Sequence, residues 1–116
     1  MTSIGDYLIE SHILKVIENF ESIMRMEDGE VTDPFWRNTR DLYRSLTPQQ
    51  QVHLLKCHRQ SAVDAVSSLL LVVDDFMCSN PAGQSLAGAL TRDGLQNVGS
   101  WQEDFLAQCE ERLYGK

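Results

Sequence analysis

The chain has 116 residues, a formal net charge of −7 from 17 acids against 10 lysines and arginines, and a hydrophobic share of 42%. That length gives one domain, residues 1–116, with room for a single core, and the apolar share excludes global disorder. The acidic balance excludes an electrostatic footprint for DNA or RNA, which needs clustered cations, and favours basic partners instead.

Ile9, Ile13, Val16, Ile17, Phe20, Ile23 and Met24 recur at steps of three and four, which predicts a first helix from near Ser3 or Asp6 to about Met26. Lys15, Glu18, Ser22 and Arg25 fall opposite, and His12 reads as a boundary residue beside the stripe. Asp33-Pro34 pairs a cap with a first-turn proline and opens a shorter helix to about Leu46, anchored by Phe35, Trp36, Leu42, Tyr43 and Leu46. Arg37, Arg40 and Arg44 line its polar side. Residues 31–60 carry about +3 while each flank carries about −5. Two readings stand for the arginines. Either they pair with acids of the first and last helices, or they form a patch for an acidic partner or a phosphate. No glycine-rich phosphate loop supports the second reading.

Residues 47–78 are expected to form one long central helix. Thr47 caps it, Pro48 fits its first turn and Gln50 completes a capping box. At 100° per residue, Leu54, Leu55, Ala62, Val63, Ala65, Val66, Leu69, Leu70, Val72, Val73, Phe76 and Met77 fall within half of the circumference. So wide an apolar half calls for several neighbours. Asp64, Ser67, Ser68, Asp74 and Asp75 fall on the other half, read as solvated. Two acids near the C-terminal end oppose the helix dipole, so the last turn is expected to be weak unless it is covered from elsewhere. Leu71 breaks the sorting: it is expected to pack under a neighbouring segment, or else to lie exposed as a contact residue between Asp64 and Asp75. His58 and Arg59, at the margins of the apolar half, are expected to reach water or an acid with their tips.

Beyond Ser79-Asn80-Pro81, Ser85 to Leu90 reads as a short helical turn, and residues 91–99 lack helical period. Ser100 with Glu103 makes a capping box for a last helix carrying Trp101, Phe105, Cys109 and Leu113 inward. The fold expected is all-α, a bundle of about four helices around the central one.

Chemistry is sparse. His53 and Cys57 are half of a metal site at best, because Asp64 lies roughly 10 Å further along the helix. Asp64 and Asp75 share a face about 16 Å apart, beyond the roughly 5 to 10 Å of a glycosidase pair. Neither catalysis nor a cofactor is expected. Cys57, Cys78 and Cys109 are an odd number at no redox or zinc spacing, which fits reduced thiols. The N-terminus carries acids where a signal peptide carries cations, and no apolar run reaches the roughly 18 residues of a membrane span. A cytoplasmic location follows as the expectation.

The pattern Val63-Asp64, Ser67, Leu70 and Asp74 resembles a motif, V-D-x-x-S-x-x-L-x-x-x-D usually followed by glycine, of a family of small, largely uncharacterised bacterial proteins. Here Asp75 stands in place of that glycine, and the resemblance covers about a dozen residues. It implies a small stand-alone helical protein of bacterial origin and no particular activity. The expected function is a small acidic module that binds another protein, such as an immunity or inhibitor protein neutralising a basic partner. A helical homodimer with a structural or regulatory role is the alternative. Asp64, Leu71, Asp75, Arg37, Arg40 and Arg44 are the expected partner contacts.

Overall fold

In the computed structural model, which describes residues 3–27 and 29–114, every regular element is helical. α1 (Ile4–Leu8), a π-helical turn (Ile9–Ile13) and α2 (Leu14–Met24) run end to end as one rod. α3 (Pro34–Ser45), α4 (Pro48–Ser79), α5 (Pro81–Arg92) and α6 (Trp101–Leu113) follow. Ser3 caps the first rod by accepting from the Asp6 N–H at 3.1 Å. Asp33 caps α3 ahead of Pro34, and Thr47 and Gln50 make the expected capping box on α4.

α4 runs unbroken for 32 residues and is the spine of the molecule. Its first half meets α2 and α3, where Phe20 stacks on His58 at 3.9 Å and meets Trp36 edge-on at 6.2 Å. Its second half meets α5 and α6. There Val63, Leu70 and Met77 join Ile9, Ile13, Trp101, Phe105 and Cys109 in the main core. α1 lies against α6 so closely that a Cβ on Gly5 would come within 3.0 Å of the Phe105 backbone. The result is elongated, 52 × 32 × 22 Å.

Two carboxylates tie the elements together at helix starts. Asp74 of α4 accepts from the Trp101 and Gln102 N–H groups, both at 2.9 Å, and so caps α6 from another helix. Asp104 of α6 accepts from the Gly5 N–H at 2.9 Å and does the same for α1. Each satisfies backbone donors that have no partner within their own helix and places negative charge at a positive helix end.

Several expectations are corrected. Ser67 and Asp74 do not belong to a solvated half: both are buried, and with Val63, Leu70 and Met77 they form the stripe that α6 covers. Ser67 accepts from the Gln102 side-chain amide at 3.1 Å. Ser100 makes no side-chain cap; Asp74 instead takes the first two N–H groups of α6. Residues 81–92 are a full helix rather than a short turn, capped by Asn80 and started by Pro81. Of the α3 anchors, Phe35 and Leu42 lie exposed, since α3 has neighbours only on the side of Arg40 and Trp36.

Candidate partner-binding surface

The apolar half of α4 is wider than its neighbours cover. α6 takes one edge, and α5 folds back beside it through Ala87 and Leu90. Ala65, Leu69, Val72 and Phe76 remain outside, with Leu69 and Val72 exposed at 64% and 65%. A groove of 420 Å³ opens at the end of this stripe, lined by Val72, Asp75, Phe76, Ser79, Asn80 and Pro81. Leu86 of α5 is also exposed.

Leu71 lies exposed as well, so it does not pack under a neighbouring segment. Asp64 and Asp75 flank it on the outer face. Asp64 accepts from the Gln60 amide at 2.8 Å, and Asp75 accepts from the Ser79 hydroxyl at 3.2 Å. That hydroxyl also binds the Asp75 carbonyl at 2.6 Å, and the Gln84 amide binds the Cys78 carbonyl at 2.8 Å. The last turn of α4 is thus covered by neutral donors, not by the cations that its dipole would favour.

Two arginines of α3 reach back to the chain that follows α2. Arg40, buried, donates to the Met26 and Glu27 carbonyls at 3.1 and 2.8 Å, and Arg44 donates to the Met26 carbonyl as well. These carbonyls follow the C-terminal end of α2, where cationic side chains are favourable, and Arg40 also pairs with Asp41 at 3.2 Å. Arg37 is exposed. Arg59 closes the far end of α6, donating to the Leu113 carbonyl at 3.1 Å with its guanidinium over the Tyr114 ring. Arg112 binds Asp6 at 3.0 Å and also Glu10. On the α2 side, Glu18, Glu21 and Glu30 line an open groove of 520 Å³ with Ser22, Arg25 and Met26.

His53 Nε2 and Cys57 Sγ stand 3.5 Å apart, and no third histidine, cysteine or carboxylate among the described residues joins them into a metal-binding group. Cys57 and Cys78 are exposed, whereas Cys109 is fully buried and its thiol is pushed up to about 11 by desolvation. No helix among the described residues is long and apolar enough to cross a membrane. Compared with protein-family models, curated proteins and solved structures, the chain matches none.

His58 carries a pH dependence. Burial beside Phe20 lowers its pKa, outweighing the opposite pull of Glu21. The folded value lies below the unfolded one, so the unfolded chain binds more protons in the window between them. The contribution of His58 is full above about pH 6.5 and is lost as pH falls through the lowered folded value. Chemical denaturation from about pH 7.5 down to 5.5 is expected to show a steeper loss of stability for the wild type than for His58→Phe. Parallel profiles would remove His58 as the cause.

Proposed function

We propose that the chain is a small acidic module that binds a basic protein and carries out no chemistry of its own. The supporting observation is how its charges are distributed. Arg40, Arg44, Arg59 and Arg112 are turned onto the molecule's own carbonyls and carboxylates. Glu18, Glu21 and Glu30 line an open groove instead. With a net charge of −7, a field of this sign speeds encounter with a cationic partner and disfavours acidic ones.

An inhibitor that neutralises a basic protein, as bacterial immunity proteins do, is the specific form that fits the size and charge. Co-expression with the product of the adjacent gene, followed by calorimetric titration of the purified pair, tests it. A one-to-one complex is expected whose affinity falls steeply as salt rises. Glu18→Lys with Glu21→Lys is expected to weaken it about tenfold, mainly through a slower on-rate. A complex indifferent to both salt and these substitutions would refute the charge-led route.

A further inference from the structure

Ala65, Leu69, Val72 and Phe76 follow one another at steps of four, three and four, the spacing with which one helix seats on another, and all four are exposed, Phe76 with one side against Gly83 of α5. We propose that the occupant of this stripe is α4 of a second copy of the chain, running antiparallel about a twofold axis level with the Leu70–Leu71 peptide.

The amount of uncovered surface supports a partner of this size. The chain exposes 7505 Å², against about 6,400 Å² for a folded monomer of its 13.2 kDa. The excess of about 1,100 Å² is more than the roughly 800 Å² that each partner contributes to a standard interface. The radius of gyration, 18.0 Å, likewise exceeds the roughly 13 Å of a compact domain of this length. A lone protomer is under-wrapped along its spine.

The side chains select a copy and set its direction. Antiparallel pairing about that axis brings Ala65 opposite Phe76 and Leu69 opposite Val72, so the smallest residue of the stripe faces the largest. Parallel pairing sets Phe76 on Phe76 and Ala65 on Ala65, a clash and a gap at the two ends. Between Asp64 and Asp74 the helix bears no charge at all, which a surface that meets itself requires.

Light scattering across a concentration series is expected to give twice the 13.2 kDa chain mass at high concentration, declining on dilution. Leu69→Glu with Val72→Glu is expected to give the single-chain mass with unchanged helix content, since both positions are exposed in the protomer. Direction is tested by cross-linking with Cys57 and Cys78, both exposed, replaced by serine. Ala65→Cys and Phe76→Cys variants should form a disulfide when mixed and not when alone, because like positions lie about 16 Å apart along the axis. A single-chain mass at every concentration, or a dimer that survives the double glutamate variant, overturns the proposal. Cross-linking of either cysteine variant with itself overturns the antiparallel arrangement. Each copy carries −7, so added salt should strengthen self-association while it weakens a complex with a basic protein, and the two assignments fail independently.

Discussion

Replacing Asp74 by alanine is expected to destabilise the protein by about 2 to 4 kcal/mol, while the same change at its neighbour Asp75 shifts stability by under about 0.5 kcal/mol. The difference comes from what the two carboxylates touch. Asp74 is buried and holds the first two N–H groups of α6, so its loss leaves donors in the interior with no acceptor. Asp75 is exposed and accepts from one hydroxyl. Asp74→Asn keeps one oxygen acceptor and should fall between, at about 1 to 2 kcal/mol. Urea denaturation of the three variants against wild type measures the series. Equal midpoints for the alanine variants at 74 and 75 would show that α6 does not depend on the cap.

Gly83→Ala sets two opposing effects against each other. Helix propensity alone would make the substitution stabilising by about 1 kcal/mol. A Cβ at that position, however, would overlap the Phe76 carbonyl, coming within 2.6 Å of its carbon and 2.9 Å of the Phe76 ring. Backbone cannot yield as a flexible side-chain tip does, so α5 would have to lift from α4, at about 1 to 3 kcal/mol or more of overpacking. The net expectation is a melting temperature several degrees lower. Gly88→Ala serves as the control, because a Cβ there meets only the end of the Arg92 side chain at 3.5 Å. A rise in melting temperature for Gly83→Ala would mean that α5 does not approach α4 so closely.

The helical class and the 47–78 spine were legible because cap, proline and period agree over many turns: Thr47, Pro48 and Gln50 open the helix as read, and Asn80-Pro81 ends it. The side facing inward was not legible to the same degree. Hydropathy places Leu69 and Val72 inside and Asp74 outside, and the structure has all three reversed. Asp74 is buried because it answers the N-terminal donors of a helix that begins 27 residues later, and periodicity within one helix carries no sign of that demand. α5 was underestimated for a related reason: its glycines lower its own helix propensity, yet Gly83 is what permits its contact with α4. Of the candidate contacts, Asp64, Leu71, Asp75 and Arg37 lie on the surface as a contact role requires. Arg40 and Arg44 answer the carbonyls that follow α2, a tertiary demand that a count of charges cannot register.

The bond from the Gly5 N–H to Asp104 spans 99 positions of sequence, and Ile9 and Ile13 share their core with Phe105 and Cys109. During synthesis the first rod leaves the ribosome long before the residues that will shelter it. At about 5 to 20 residues per second, its isoleucines wait on the order of 5 to 20 seconds for α6. Through that interval the nascent chain presents a greasy helix with nothing to lie against, an opening for chaperone capture that closes only when the last helix arrives.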